Sequence, residues 1–382
     1  MRDYPVIRWN EAGEEQSARW CSEKDTPPPS RVLVIDDRMT ADVAYRLACE
    51  GTALLWRGDF QNARQLLQAL ARRADKKTLK RKTKEIAASP AETFHLHRQA
   101  QSQRARTLGQ LLIPFHADHS IPLRRAPDVR PACLEAYGRS TEAYVASLRE
   151  LQGLIGAYEW RKKGIEIPAL NARIHPHYGV FAPIRSEYVG LVAKTPLPPL
   201  ATTQSIAFDI GTGTGILAAV LARRGIQRII ATDMDLRALD CACDNLTRLN
   251  LTNQVDVVQA NLFPEGQAAL IVCNPPWIPA RPNSPLEHAI FDPESRMLLG
   301  FLQGLSAHLM PGGEGWLILS DFAEHLELRT RAELLAAIDA AGLKVLGQSN
   351  AKPHHPRVSD TSDPLHAARA AELTSLWRLS AK

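Results

Sequence analysis

The chain is expected to be an α/β protein whose larger part is a doubly wound, mostly parallel sheet. Three observations carry that expectation. From about residue 205 onward, short β-branched apolar runs alternate with helical patterns of ten or more residues. Strands in such an alternation are buried on both faces, as happens in a parallel sheet flanked by helices. A glycine-rich turn, Gly211-Thr212-Gly213-Thr214-Gly215, joins the first of these strands to its helix. Asp233 ends the second strand, at the carboxyl edge where ligands of open α/β sheets bind.

A chain of 382 residues exceeds what one hydrophobic core usually organises, and charge divides it. Residues 1–170 carry 28 Lys+Arg against 21 Asp+Glu, whereas residues 171–382 carry 18 against 20. Two domains are expected, 1–170 and 171–382, the first a mainly helical, substrate-recognition domain. Within it, Arg31–Asp36 reads as a short buried strand, residues 40–50 as a helix ending at Gly51, Thr52–Trp56 as a strand and Asn62–Leu70 as a helix. Together, residues 31–70 make a small αβ module. Arg72–Lys84 sets eight positive charges against one acid, the composition of a mobile basic loop or a frayed helix end. Nucleic acid or a ribosomal surface would attract it, and solvent alone would suit it equally. Residues 93–163 read as mainly helical, interrupted at Pro114, Pro122, Pro127 and Pro131 because proline removes a helical donor.

In the second domain the elements follow in order. Ser205–Ile210 is a strand, Ile216–Arg224 a helix and Arg228–Thr232 a strand; Leu236–Leu249 is a helix with Leu236, Leu239, Ala242, Leu246 and Leu249 on one face. Val255–Gln259 and Ala269–Cys273 are strands, Ser295–Met310 an amphipathic helix, Gly315–Ser320 a strand and Leu326–Ala341 a helix. Lys344–Gly347 and Leu373–Leu379 form a closing strand pair. The stretch 351–370 between them carries no chemistry that its residues reveal.

Composition excludes other classes. No uncharged apolar run of about 18 residues occurs, and the first residues are charged and broken by Pro and Gly, so neither a membrane span nor a signal peptide is expected. None of the six cysteines forms a CxxC, which suits reduced thiols in a cytoplasmic protein. His95/His97, His175/His177 and His354/His355 lack a second ligand pair at metal spacing, so no metal site is expected.

Three motifs carry chemistry. The turn after the first strand, Asp209-Ile210-Gly211-Thr212-Gly213-Thr214-Gly215, lets backbone approach a ligand where a β-carbon would collide. Asp233, 20 positions after Gly213, is placed to accept hydrogen bonds from both hydroxyls of a ribose, while Asp235 is better placed to cap the next helix. Together they point to an adenosine-type cofactor. Asn274-Pro275-Pro276-Trp277-Ile278-Pro279 follows the strand Ala269–Cys273. Its prolines hold the chain extended, so the Asn274 oxygen and the Pro275 carbonyl can both accept from one planar NH2 group, with Trp277 as a flat stacking face.

With these motifs, residues of about 175–350 resemble a class I S-adenosylmethionine-dependent methyltransferase of the N-methylating subgroup marked by (N/D)PP(Y/F/W). NPPWIP is close to the NPPYIP of the HemK/PrmC-like protein-glutamine N5-methyltransferases. Gly179-Val180-Phe181-Ala182-Pro183 with Glu187, and His308-Leu309-Met310-Pro311-Gly312-Gly313, resemble the segments before the first and fifth strands of that group. The resemblance implies a seven-stranded Rossmann-like sheet and S-adenosyl-L-methionine as cofactor. It implies that Asp209, Gly211, Thr212, Gly213 and Gly215 hold the methionine moiety and Asp233 the ribose. Asn261 would meet the adenine where the family usually has Asp, and Asn274 and Pro275, stiffened by Pro276, would orient the acceptor nitrogen. Trp277 replaces the commoner Tyr and suits a glutamine amide or a nucleobase alike. Three functions stay open: methylation of a glutamine amide on a translation-related protein, methylation of an exocyclic base amine of RNA or DNA, and a cofactor-binding adaptor without catalysis.

Overall fold

A computed structural model of the protein describes residues 5–23, 26–82, 89–283, 285–353 and 360–382, side chains excepted at 77–82 and 285–286. The chain divides into two compact units, one of residues 1–88 and 95–159, the other of 89–94 and 160–382. Each is described by itself.

The first unit contains β1 (Val6–Glu11), β2 (Glu14–Trp20), β3 (Val32–Ile35), α1 (Ala41–Cys49), β4 (Ala53–Trp56), α2 (Phe60–Lys82) and most of α3 (Pro90–Gly109). It continues with β5 (Leu111–Phe115), α4 (Arg130–Tyr137), β6 (Tyr144–Ser147) and most of α5 (Leu148–Lys163). Its strands form one six-stranded sheet in the order β1-β2-β6-β5-β4-β3, around Ile7, Trp20, Ala53, Leu55, Leu112 and Val145. Helices hold most of the regular structure of this unit, and a sheet organises them. The β1–β2 hairpin escapes notice because its turn is Ala12-Gly13, with φ of 55° and 88°, in place of the usual Asn-Gly. Leu111–Phe115 is a strand in spite of Pro114, since its pairing with β4 ends at Leu112 and nothing on that side asks for the missing N–H. The basic stretch is helical in backbone as far as Lys82; its side chains from 77 onward lie outside the described residues.

The second unit contains the hairpin β7 (Ile165–Ile167) and β8 (Ala172–Ile174), then α6 (Glu187–Lys194), α7 (Pro199–Gln204), β9 (Ile206–Ile210), α8 (Ile216–Arg223), β10 (Arg228–Asp233), α9 (Leu236–Arg248), β11 (Val255–Gln259) and β12 (Ala268–Cys273). After it come α10 (Arg296–His308), β13 (Leu309–Ser320), α11 (Phe322–His325), α12 (Arg331–Ala340), β14 (Leu343–Ala351), α13 (His366–Ala371) and β15 (Thr374–Ala381). The expected doubly wound sheet is present, seven-stranded, in the order β11-β10-β9-β12-β13-β15-β14. Only β15 runs antiparallel to its two neighbours. Side chains alternate across the sheet: Ala207, Leu270, Val272, Trp316 and Ile318 join one apolar cluster, while Phe208, Ile271, Cys273, Leu317 and Leu319 join the other. Both faces are therefore covered by helices, each large side chain contributing roughly 1.5–3 kcal/mol.

Beyond shifts of one or two residues, three boundaries of this unit differ from expectation. The strand expected over Lys344–Gly347 runs on to Ala351, because β15 pairs with it that far. The helix expected from Leu326 starts at Arg331, because Glu327 takes a φ of 56° and Thr330 opens a capping box with Glu333. The strand expected from Gly315 starts at Leu309; Leu309 pairs with Ala268 and Glu314 with Leu270, so Met310–Gly313 form an irregularity inside β13.

An ion pair ties β13 to its antiparallel partner. Arg378 donates to both carboxylate oxygens of Glu314 at 2.8 and 2.6 Å, and Trp316 Nε1 donates to Glu314 at 3.1 Å. Glu314 is buried. Arg378→Met is expected to leave that carboxylate short of a countercharge and to cost about 2 kcal/mol, less than for a wholly buried pair because Arg378 is partly exposed. Denaturant unfolding of the second unit measures it, and adding Glu314→Gln is expected to restore part of the loss.

Candidate functional site

Strand register gathers the site. Ile210 of β9 lies opposite Thr232 of β10 on one side and Cys273 of β12 on the other. The glycine-rich turn, Asp233 and Asn274 therefore emerge side by side at the carboxyl edge. Asp233 lies opposite Gln259 of β11, which brings the exposed Asn261 out at the same edge. The strand order reverses between β9 and β12, the crevice where such sheets bind ligands.

The turn is braced from within. Asp209 is buried, and its Oδ2 accepts from Thr212 Oγ1 at 2.6 Å and from the Ala218 N–H at 3.0 Å, tying the strand end to the first turn of α8. Burial pushes its carboxyl up to about 6, against the pull of those two hydrogen bonds. The three glycines have different reasons. Gly211, with φ of 71°, would thrust a β-carbon onto the Met297 methyl, and Gly215, at 78°, would bring one to 3.2 Å from the Ala242 backbone. Those two answer to packing within the protein. At Gly213, with φ of 56°, a β-carbon would point into open space, and this is the position that leaves backbone accessible to a ligand.

Asp233 borders that opening. Its Oδ2 accepts from the Gly213 N–H and its Oδ1 from the Asp235 N–H, both at 3.0 Å. Each oxygen keeps a further acceptor direction. Burial raises its pKa. Asp235 caps α9 by accepting from the Arg237 N–H, as its position led one to expect. An open cradle at Gly213 beside a half-buried carboxylate suits the ribose and adjoining chain of S-adenosylmethionine.

On the other side of the reversal, Pro275 is buried and Asn274, Pro276 and Trp277 are half-buried. Trp277 lies where three apolar clusters meet. Its indole Nε1 donates to Asn274 Oδ1 at 2.9 Å, so the oxygen expected to serve an acceptor amine already holds one hydrogen bond. A carboxamide oxygen has two lone pairs, and one remains.

Several neighbours of this motif are silent in the sequence. The Arg185 guanidinium lies over the Trp277 ring, 5.4 Å from its centroid, and donates to Glu187 at 2.8 Å and to Glu372 at 3.0 Å. Burial alone would lower the Arg185 pKa; Glu372 and then Glu187 outweigh it and raise it. Glu372 also accepts from Ser320 Oγ at 2.6 Å. Arg329, buried and with its pKa lowered by burial, donates to the Trp277 carbonyl at 3.4 Å. Asp292 accepts from the Met297 and Leu298 N–H groups at the start of α10. Below Trp277, Ile278 packs with Phe94, Phe322, Leu326, Leu365 and Ala368. The β14–β15 connection, mute as sequence, thus supplies Leu365, Ala368 and Glu372; its residues 354–359, including His354 and His355, lie outside the described residues. Arg185 had one signal, its place between Pro183 and Glu187.

Among the described residues no group of three or more His, Cys, Asp or Glu could hold a metal ion, and no helix is long and apolar enough to cross a membrane.

A neutral Asp209 favours the fold, because its folded pKa lies above the ordinary carboxylate value. That contribution is complete below about pH 4 and is lost as pH rises through about 6. Asp209→Asn, neutral throughout, is expected to melt higher relative to the native chain at pH 8 than at pH 5. Equal differences at the two pH values would show an ordinary carboxyl.

Comparison with known proteins agrees with this geometry. The family model for ribosomal protein L11 methyltransferase (PrmA) matches residues 196–280, the stretch from α7 through Asn274. The ribosomal protein L11 methyltransferase of Pelotomaculum thermopropionicum is 44% identical over 69 residues, 18% of this chain and 22% of that protein. A release factor glutamine methyltransferase of Cereibacter sphaeroides is 33% identical over 144 residues, 34% of this chain and 50% of that one. A tRNA1(Val) (adenine(37)-N6)-methyltransferase of Cytophaga hutchinsonii is 31% identical over 135 residues, 33% of this chain and 56% of that protein. The chain thus spans between about a fifth and a little over half of these relatives. The stretch matched by the family model carries the glycine-rich turn, Asp233 and Asn274, so this part of the second unit is similar to methyltransferases.

Proposed function

We propose that the protein transfers a methyl group from S-adenosylmethionine to a planar NH2 nitrogen, and that this nitrogen is the amide of a glutamine in a protein substrate. The observation that carries the proposal is the placing of Asn274 beside the glycine-rich turn, one strand from the Gly213 cradle. Gly211, Thr212, Gly213 and Gly215 shape the pocket for the methionine moiety, with Asp209 bracing them, Asp233 accepts from the ribose, and Asn261 accepts from the adenine amine. The bound cofactor supplies an electrophilic methyl on a positively charged sulfur.

The chain's own residues supply aim. Asn274 Oδ1 and the Pro275 carbonyl accept from the acceptor NH2, which turns the nitrogen lone pair away from its conjugated plane. These bonds strengthen as positive charge develops on nitrogen, so they stabilise the transition state more than the ground state. Pro276 keeps the segment extended and its carbonyls out of any helix. Neither Asn274 nor Pro275 can hold the proton that the nitrogen must shed, which passes to solvent.

The electrostatics around Trp277 support an amide over a nucleic acid. Arg185 is held by two carboxylates, and Arg329 is buried against a carbonyl in the electrostatic company of Glu324 and Asp292. A phosphate backbone would need such cations unspent. The packing against Trp277 is apolar, with Ile278 and Phe322, which suits an uncharged acceptor side chain better than a phosphate.

Asn274→Ala is expected to abolish transfer while S-adenosylmethionine affinity, by calorimetry, stays within about twofold of the native chain; unchanged turnover would remove Asn274 from the mechanism. Asp233→Ala is expected to weaken that affinity by roughly 10–100-fold, the worth of hydrogen bonds to a charged acceptor. For the substrate, the full chain is incubated with radiolabelled cofactor and a lysate of methyl-depleted cells, then treated with protease or nuclease. Label released by protease alone supports the glutamine amide; label released by nuclease alone replaces it with a base amine.

A further inference from the structure

Asn274 faces a problem that its tetrapeptide does not solve. A carboxamide can rotate end for end, and in the wrong orientation its own NH2 would meet the acceptor NH2, donor against donor. What prevents this must be a donor directed at Oδ1. The indole N–H of Trp277 is that donor, at 2.9 Å. A Tyr or Phe at this position has no ring N–H to offer.

An indole can do this only if its backbone and its plane are held, and three contacts hold them. The apolar clusters grip its edges. Arg329 donates to its backbone carbonyl. The Arg185 guanidinium lies over its ring, and that guanidinium is held between Glu187 and Glu372. Glu372 is buried, accepts from Ser320 at the end of β13, and stands just after α13, where the β14–β15 connection re-enters the sheet. The chain of contacts runs Glu372, Arg185, Trp277, Asn274.

The geometry points to Trp277, Arg185 and Glu372 as positioning residues for methyl transfer: Glu372 fixes Arg185 over the indole, and the indole N–H fixes the Asn274 carboxamide with its remaining lone pair toward the acceptor. This rests on the proposed role of Asn274 in orienting the acceptor nitrogen. It gives the β14–β15 connection a function, since its carboxylate ends the relay. A cation over an indole is worth most when partly desolvated, and Arg185 is so placed.

The relay predicts a particular kinetic pattern. Trp277→Phe keeps a ring and loses the N–H; its kcat is expected to fall about fivefold to tenfold, the worth of one neutral hydrogen bond, with the KM for S-adenosylmethionine unchanged. Glu372→Gln keeps the shape and an acceptor for Ser320 but removes the charge that fixes Arg185; its kcat is expected to fall about threefold to fivefold, again at constant cofactor KM. Because both act through the same N–H, the double variant is expected to be no slower than Trp277→Phe alone. Losses that multiply would overturn the relay, as would full kcat in Trp277→Phe. Arg185→Lys, which keeps both ion pairs and loses the planar group over the ring, serves if Glu372→Gln does not fold, and is expected to behave like it.

A second readout is independent of activity. In the full chain labelled with 15N-tryptophan, the indole N–H resonance assigned by its disappearance in Trp277→Phe is expected to exchange slowly with solvent, and faster in Asn274→Ala and in Glu372→Gln. Equal exchange in all three would overturn the relay even where methyl transfer is observed. Absence of methyl transfer to any acceptor, with slow exchange intact, would instead count against the proposed function and leave the relay standing as a property of the fold.

Discussion

The register of β9 between β10 and β12 is the constraint on which the rest depends. With Ile210 opposite both Thr232 and Cys273, three loops leave the sheet at one level, carrying the glycines, the Asp233 carboxylate and the Asn274 motif. A slip of one residue would turn every side chain of β9 to the opposite face, moving Phe208 and Ala207 into each other's clusters. Packing on both faces thus holds the register, and the register holds the site. The side of the crevice that carries the glycines and Asp233 follows from it with little further help: Asp209 ties the turn to α8, and Asp233 clasps both the turn and the loop that leads into α9.

The side that carries Asn274 is built differently, from residues far apart in sequence. Arg185, Trp277, Asp292, Arg329 and Glu372 come from five segments, and an apolar cluster that includes Phe94, Ile278, Phe322 and Leu365 packs against Trp277. Removing such groups from water is costly unless each has a partner, and Glu372 shows how this is met: one oxygen accepts from both Ser320 and Arg185. Asymmetry between the two halves fits the tasks proposed for them. A cofactor of constant shape can be held by backbone and one carboxylate, whereas an acceptor must be aimed, and aim demands side chains whose own orientation is fixed.

The first unit has an equally definite architecture. Parallel β3, β4 and β5 continue into antiparallel β6, and Asp59, whose side chain is buried at the end of β4, accepts from both Arg124 and Arg125. Those arginines hold its carboxyl well below the usual carboxylate range, Arg125 first. Such a pairing fastens the loop after β5 to the sheet.

By itself the sequence determined the parallel sheet of the second unit, the boundaries from Ile206 to Cys273 to within one residue, the cradle residues and the Asn274 motif. These are local signals: apolar runs set strands, glycines set turns, and a proline pair sets an extended strand end. The hairpin of residues 6–20, the strand at Leu111–Phe115 and the late start of α12 were decided by pairing partners and a cap, which override local preference. Only the tertiary structure could show that Gly211 and Gly215 serve packing while Gly213 serves the opening, because that depends on Met297 and Ala242. Likewise the setting of Trp277 rests on Arg185 and on Glu372, 187 residues further along the chain from Arg185. An ion pair formed across the fold leaves no period, spacing or composition in the chain, since what brings its members together is the packing of everything between them.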